Sequence, residues 1–246
     1  MLRIRRNLMV VSILIPLANV QGDDPQGTVT GIVILEQDPP APLIVKLKPD
    51  MQMFTGKKTL SIQRWLVGSN RGLANCVVTL RAKDGTAQAV PKPLENAVLE
   101  KDGPFFVPRL LVVTNGTRVT YRNKNSPCKC FHVAGRRHPS VNRLIPAGSQ
   151  YEMQFDGGHD ICPVRADLRP YMLSWIYVVE TPYYAVTNAK GHFEISGIPP
   201  GEYHVRVWHE GIGWVHKASG PRELTITGAV QEKLEFKAVR PETKRK

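Results

Sequence analysis

The chain has 246 residues, and its 33 Lys and Arg against 21 Asp and Glu give a formal net charge of +12. A hydrophobic content of 42% excludes wholesale disorder, and this length builds one large or two small domains without metal or disulfide support. Four cysteines are too few for a disulfide-rich scaffold, although they suffice for two bridges or one metal site.

Residues 1–22 have the pattern of a secretory signal. Three arginines precede the apolar run 8–17, and small residues follow before Asp23. The run is too short to span a bilayer comfortably, and an uncleaved N-terminal anchor is the alternative. We therefore expect an exported protein, periplasmic or extracellular, with no membrane span after signal cleavage. Such a location permits disulfides.

The remainder of the chain predicts β-strands. Short β-branched or aromatic runs recur between clusters of Gly, Pro, Asn and Asp, and no convincing amphipathic helix is present. The predicted strands are 28–35, 75–80, 105–113, 118–122, 151–155, 174–179, 192–195, 203–208, 224–226 and 233–236. This spacing is typical of sandwiches and barrels, so the predicted fold class is all-β. Segment 37–70 has weak periodicity, which predicts irregular structure.

The C-terminal residues 239–246 predict a basic, solvated tail. Part of the positive charge therefore belongs to the tail and part to the signal. The chain has no recognisable nucleic-acid-binding motif, and export argues against such a partner. We expect no nucleic-acid binding.

Segment 186–210 reads VTNAKGHFEISGIPPGEYHVRVWHE, a hairpin pattern with a Pro-Pro-Gly corner. It resembles the carboxypeptidase regulatory-like (transthyretin-like, carbohydrate-binding-like) module. The resemblance implies a β-sandwich module over 183–238, to which part of 23–97 contributes, including a first strand within 27–36. Some relatives bind carbohydrate, and Trp208 with Trp214 are the candidate stacking residues. Core or edge packing is the preferred interpretation of both tryptophans.

Residues 98–182 resemble the cupredoxin-like domain of exported methylamine-utilisation-like proteins. The motifs that carry this resemblance are GLANCVVTL at 72–80, FVPRLLVV at 106–113, NRLIPAG at 142–148, RPYM at 169–172 and TPYYAVT at 181–187. The resemblance implies a Greek-key β-sandwich. Together with the C-terminal module, it covers nearly all of the chain after the signal.

The copper ligands of that family are mostly replaced in this sequence. The alignment implied by the resemblance puts Cys130 at the first imidazole, Ala166 at the thiolate and Arg169 at the second imidazole, and only Met172 survives. An alanine methyl cannot ligate copper, and a guanidinium is a permanent cation. We therefore expect that the blue-copper site is lost. Arg169 then replaces the positive charge of the metal, and Met172 becomes core filler.

The cysteines allow two interpretations. We prefer a disulfide from Cys162 to Cys128 or Cys130, with the remaining loop cysteine free or paired with Cys76, because the resemblance implies that these loops converge. The alternative is a new thiolate site for Cu(I) or Zn, drawn from Cys128, Cys130, His132 and His138, which lie within eleven residues of sequence.

The function expected from these features is that of an exported, non-catalytic binding or interaction protein with a degenerate blue-copper site and no cofactor. Its partner is an unidentified protein or glycan outside the cytoplasm. No nucleophile elbow, phosphate loop or zinc-protease motif is present, so we do not expect an enzyme. The alternatives are a copper-binding electron-transfer protein with altered ligands, and a carbohydrate-binding module.

Overall fold

The computed structural model describes residues 26–85, 91–216, 220–228 and 231–240. The predicted signal at 1–22 and most of the predicted tail at 239–246 lie outside these ranges. Within them, no helix is long and apolar enough to cross a membrane. The all-β fold class is confirmed, because almost all regular structure in these ranges is β-strand.

The described residues form nineteen strands and one short helix. In chain order these are β1 (Gly27–Leu35), β2 (Leu43–Lys46), α1 (Pro49–Thr55), β3 (Thr59–Ile62), β4 (Val77–Ala82), β5 (Ala97–Asp102), β6 (Phe105–Val107), β7 (Leu110–Thr114), β8 (Thr117–Asn123), β9 (Cys130–Val133), β10 (Val141–Leu144), β11 (Gln150–Phe155), β12 (Asp160–Ala166), β13 (Arg169–Val179), β14 (Tyr184–Val186), β15 (His192–Ile198), β16 (Gly201–His209), β17 (Gly213–Trp214), β18 (Arg222–Ile226) and β19 (Gln231–Ala238).

Two sheets enclose the first large core, and we call this unit the central sandwich. One sheet has the order β10-β9-β12-β13-β7, and the other has the order β11-β8-β5-β6. Side chains alternate between the faces of each strand, so that Val119 and Tyr121 of β8 meet Val164 and Met172 of the opposite sheet. This alternation is the sequence signal from which β8 and β11 were correctly predicted.

A second sandwich joins strands from both ends of the described chain. Its sheets have the orders β15-β1-β19 and β14-β4-β16-β17, and β18 also pairs with β16. β1 runs antiparallel to β15 and parallel to β19, so it is the middle strand of its sheet. Val33, Phe193 and Phe236 from this sheet pack against Val78 and Val205 of the other.

The two sandwiches are joined by a third apolar layer. Ile176 and Val178 of β13 point into the central core, whereas Tyr177 and Val179 point outward and pack against Trp208 of β16. The four sheets therefore stack in one direction and have three cores between them. This stacking explains the long apolar run of β13, since both of its faces are buried.

Segment 37–70 corrects the prediction of irregular structure and of no helix. β2 and β3 pair as an antiparallel hairpin whose connection contains α1. Pro49 begins the helix, and Gly56 ends it in the left-handed region with a φ of 68°. Met51 is fully buried in the central core. The helix is too short to show an amphipathic period, so its structure depends on the caps and on this single anchor.

Candidate functional site

The end of the central sandwich where β9 begins and β12 turns into β13 carries the predicted site residues. Arg165 pairs with His132 across the sheet, and Ala166 pairs with Arg169 at the turn, so the start of β9 approaches this turn. Ala166 and Met172 are buried in the central core. The structure thus brings Cys130, Ala166 and Arg169 to the same end of the sheet.

A buried lysine that the sequence analysis missed lies at this end. The side chain of Lys101 is fully buried, and its Nζ donates hydrogen bonds to the backbone carbonyls of Cys128, at 3.1 Å, and Cys130. The same nitrogen lies 3.8 Å from Cys128 Sγ. Burial lowers the pKa of Lys101, and the neighbouring Cys128 and Cys130 thiols oppose that shift.

The available signal for Lys101 was the two-residue period of β5. Lys101 follows Ala97 and Leu99 on the inward face of this strand. The sequence analysis did not identify Lys101 as buried, because the charged stretch Glu100-Lys101-Asp102 before Gly103 resembles an exposed turn. A lysine at an inward position requires a polar partner inside the core, and the two cysteine carbonyls supply it.

A second buried cation lies nearby. Arg169 is 8% exposed, and its Nη2 donates a hydrogen bond to Oδ2 of Asp50 in the first turn of α1. The hairpin that contains α1 therefore covers this end of the sandwich. Asp50 was not predicted as part of the site, because it lies in the segment predicted to be irregular. The positive charge at the Arg169 position was predicted, whereas its carboxylate partner was not.

Three polar atoms at this end have no hydrogen-bond partner among the described residues. They are Tyr121 Oη, Tyr171 Oη and Arg169 Nε, and each is buried. The Tyr121 ring stacks on Phe131, with 3.7 Å between ring centroids. Burial raises the pKa of Tyr121, and the nearby Cys128 and Cys130 thiols raise it further. The Tyr121 hydroxyl is therefore neutral and available as a donor.

Cys128 and Cys130 lie side by side, but they differ in exposure. Cys128 is fully enclosed in the central core, whereas Cys130 is partly exposed. Burial raises the pKa of Cys130, and the adjacent Cys128 thiol raises it further. Cys130 is therefore the outer thiol of this pair, and Cys128 is the inner one.

His132 does not complete a ligand set with these thiols. Its Nδ1 lies 2.8 Å from one carboxylate oxygen of Asp167 and 3.0 Å from the other. Its Nε2 lies 3.4 Å from Ser140 Oγ. Both ring nitrogens therefore have polar partners on the sheet surface. Met172 lies in the core, where it packs with apolar neighbours.

The predicted disulfides are wrong in this structure, where all four cysteines, each within the described ranges, are free thiols. Val164 pairs with Val133, so Cys162 lies opposite Gly135 rather than opposite Cys130. Five residues of extended strand separate Gly135 from Cys130, which is about 16 Å. Cys76 belongs to the second sandwich. Burial raises the pKa of its thiol to about 12, although a hydrogen bond with Thr187 opposes this shift.

Cys162 instead belongs to a buried cluster with His138 and Asp160, whose potential ligand atoms lie within 4.8 Å of one another. Asp160 Oδ2 accepts hydrogen bonds from the backbone N–H groups of Arg136 and Arg137, and His138 Nε2 accepts one from the N–H of Gly157, 3.0 Å away. His138 Nδ1 lies 3.3 Å from Asp160 Oδ2. Asp160 Oδ2 and His138 Nε2 already accept hydrogen bonds from the backbone. The cluster therefore has a structural role, which is to fix the 134–138 loop.

The tryptophans proposed for carbohydrate stacking lie at the interface between the sandwiches. Trp208 is 5% exposed, and its ring centroid lies 5.3 Å from that of Trp175. It is therefore unavailable to stack on a sugar. Trp214 is partly exposed, and Arg206 covers its ring at 5.6 Å. Their positions agree with the preferred interpretation of core and edge packing.

Comparison with known proteins returned no matching protein family and no matching curated protein. Solved structures gave matches over about 40% of the chain. Amicyanin from Paracoccus versutus is 11% identical over 41% of this chain and 97% of its own, with a TM-score of 0.29. The purple cupredoxin from Nitrosopumilus maritimus is 15% identical over 34% and 99%, with a TM-score of 0.28. The copper-containing nitrite reductase from Thermus scotoductus is 19% identical over 41% and 25%, with a TM-score of 0.29.

These neighbours are cupredoxins and a copper enzyme. The copper named for these neighbours belongs to the neighbours. The chemistry of the present chain depends on its own residues. Each of the three covers at most 41% of this chain.

Proposed function

We propose that this chain is an exported, non-catalytic binding protein in which a cupredoxin-like sandwich has exchanged its copper ion for two internal side-chain cations. The cupredoxin-like unit is residues 98–182. Residues 183–238 and part of 23–97 form the regulatory-like module, which adds rigidity. The observation that carries the proposal is the position of Lys101, whose Nζ lies inside the core beside Cys128 and Cys130, at the end where the resemblance predicts the metal.

The donor set argues against copper at this end. The two positions that would supply a thiolate and an imidazole hold Ala166 and Arg169, and Met172 offers only a weak thioether. Copper next to Lys101 and Arg169 would also experience repulsion from two buried cations in a medium of low dielectric. The residues present therefore do not fit a blue-copper ion, and we derive no electron-transfer step.

The binding role is supported by apolar side chains around the same end. Leu144 pairs across the sheet with Cys130 and is 71% exposed, and Leu168 in the β12–β13 turn is 63% exposed. Met53, on the helix that covers Arg169, is also exposed. Several exposed large apolar residues at one end of a domain favour a protein partner over a glycan, since the candidate sugar-stacking residue Trp208 is buried.

A copper titration tests the proposal. The purified protein is incubated with Cu(II) or with Cu(I) under reductant and desalted, and metal content and the visible spectrum are then measured. We expect less than a tenth of an equivalent of copper and no blue absorption band. One retained equivalent that disappears in Cys130→Ser but persists in Cys76→Ser would overturn the proposal in favour of copper held by altered ligands.

A gain-of-ligand variant serves as the positive control. The combined substitutions Cys130→His, Ala166→Cys, Arg169→His and Lys101→Gln restore the family's donor types and remove both cations. We expect this variant to acquire copper, which would show that the position is still a metal position by geometry. A folded variant that binds no copper would mean that Lys101 and Arg169 are not what excludes the metal.

The partner surface is tested with the full chain and a co-purifying protein. Leu144→Asp and Leu168→Asp place charges on the proposed surface, and Val186→Asp does the same at an exposed position on the second sandwich. We expect the first two variants to lose the partner and the third to keep it. Equal loss in all three, or in none, would exclude this surface.

A further inference from the structure

Lys101 has an unusual set of neighbours for a buried amine. Its Nζ contacts the carbonyls of Cys128 and Cys130 and the Cys128 thiol and lies 4.9 Å from the centre of the Phe106 ring, and no carboxylate contacts it among the described residues. The nearest acidic side chain of the site, Asp50, is already paired with Arg169. The two carbonyls accept two of its hydrogen bonds, and the Cys128 sulfur is the one contacting atom that can become an anion.

The second thiol makes this pair accessible from solvent. Cys130 lies next to Cys128 and is partly exposed, whereas Cys76 and Cys162 are buried in other parts of the structure. In an extended chain, residues two apart are separated by about 6.6 Å, which lies at the upper end of the Cα separation that a disulfide spans. Cys128 lies just outside β9, so a bond to Cys130 requires the chain before the strand to bring the two Cβ atoms closer together.

We propose that Cys128 and Cys130 form a redox-active dithiol, in which Lys101 contacts the inner sulfur and a disulfide-containing molecule is the substrate. This activity goes beyond the binding role proposed above and requires no metal. It also explains the buried lysine, which contributes nothing to an apolar core, and the Cys-x-Cys pattern at one edge of the site.

The chemistry is a two-step exchange. The Cys130 thiolate attacks one sulfur of a disulfide RS–SR, so that a mixed disulfide forms and RS⁻ leaves. The Cys128 thiolate then attacks Cys130 Sγ, which forms the intramolecular bond and expels the second RS⁻. The two protons of the dithiol pass to the two leaving thiolates. One RS–SR becomes two RSH, and two electrons move from the protein to the substrate.

The test uses oxidised glutathione as the substrate and the full chain without bound metal. Trypsin cleaves after Lys129, which lies between the two cysteines, so a Cys128–Cys130 bond holds the two resulting peptides together until reductant is added. We expect this linked peptide to form reversibly across a series of glutathione buffers, while Cys76 and Cys162 remain alkylatable after unfolding. An unlinked pair at every ratio, or linkage to Cys76 or Cys162, would overturn the proposal.

The role of Lys101 has its own variants. Lys101→Met removes the amine that lies 3.8 Å from Cys128 Sγ, and we expect the second exchange step, in which this sulfur is the nucleophile, to slow about tenfold at pH 7. Lys124→Met removes an exposed lysine that pairs with Asp102, and we expect no change in that rate. Equal rates in wild type and Lys101→Met would remove Lys101 from the proposal.

Two further variants keep the result interpretable. Cys128→Ser should accumulate the mixed disulfide on Cys130, and Cys130→Ser should not react while folded. Circular dichroism and thermal melting establish that each variant is folded. If Cys128→Ser released glutathione as fast as the wild type, Cys128 would not be the resolving thiol. Metal analysis of the same samples reports on the copper question separately, so the two proposals fail independently.

Discussion

The two sandwiches differ in the hydrogen bonding of their buried polar side chains. In the second sandwich, the hydroxyl of Tyr203 donates to the carbonyl of Pro199, and the Cys76 thiol lies near the carbonyl of Leu73. At the end of the central sandwich, the hydroxyls of Tyr121 and Tyr171 have no partner among the described residues, and a lysine lies in the core. Unpaired buried atoms occur elsewhere in the described residues as well, at Arg64 Nε and Tyr177 Oη, so the feature that distinguishes the central sandwich is the lysine inside its core.

The largest expected effect comes from separating the two units. Arg109 of the central sandwich makes a two-pronged contact with Glu210, with N–O distances of 2.5 and 2.6 Å, and Trp175 Nε1 donates to the same carboxylate at 3.2 Å. Glu210→Ala leaves the half-buried Arg109 unpaired, and we expect a loss of about 3–5 kcal/mol in the free energy of unfolding. Urea denaturation measures it. As a control, the Arg109→Met, Glu210→Met double variant should recover the lost stability. An unchanged urea midpoint in Glu210→Ala would show that the Arg109–Glu210 contact does not stabilise the protein.

The next largest loss of stability is expected in mild acid, and it arises from His209 in the second sandwich. Burial lowers the pKa of His209 to about 4, while Glu210 opposes that shift. The unfolded chain binds the proton more tightly, so stability is full above about pH 6.5 and falls as the pH drops towards 4. The loss should reach about 3 kcal/mol. Denaturation between pH 7 and 4 measures it. His209→Asn should flatten this region of the curve, and an equal slope in that variant would assign the effect elsewhere.

The central sandwich should respond only at lower pH. Burial alone would raise the pKa of Asp160, but hydrogen bonds from the backbone of Arg137, Ile161 and Arg136 and from His138 outweigh it and hold the pKa at about 2. The folded state therefore favours the carboxylate, and this contribution is present above about pH 4. It should be lost between pH 4 and 2, at a cost of about 2 kcal/mol. Asp160→Asn should remove that pH dependence in the same titration, whereas Asp167→Asn should retain it.

The smallest effect is expected for Met172→Leu, at the one position where the resemblance predicts that a family ligand type is kept. As a buried core side chain, it should tolerate Met172→Leu at a cost below about 1.5 kcal/mol, whereas Met172→Ala should cost about 2–5 kcal/mol. Thermal denaturation compares the two variants. A large loss with leucine would show that the thioether has a specific role.

The sequence predicted the strands whose alternation is regular, such as β1, β8 and β16, because a period of two residues is visible without knowledge of partners. The β2–α1–β3 segment was missed, since its order depends on Met51 reaching a core built elsewhere. The disulfide failed for a similar reason. Strand register decides which cysteines meet, and the register between β9 and β12 is set by hydrogen bonds that no local pattern reveals.

The candidate site was predicted in part. Ala166 and Arg169 pair at one turn, and neither side chain can hold copper, but their replacement of family ligands stays a prediction. Lys101 and Asp50 were not readable, because each acquires its role from a contact made by a distant part of the chain. A buried charge is recognised only when its surroundings are known.

The position of β1 has a consequence for how the protein is made. Thr28 pairs with Gln231, so the sheet that contains the first described strand is complete only after the last described strand has been synthesised. The central sandwich, by contrast, has all of its strands once residue 179 has emerged from the ribosome. Synthesis therefore favours the central unit folding first as an insertion, and the sheet that contains β1 is completed only after it.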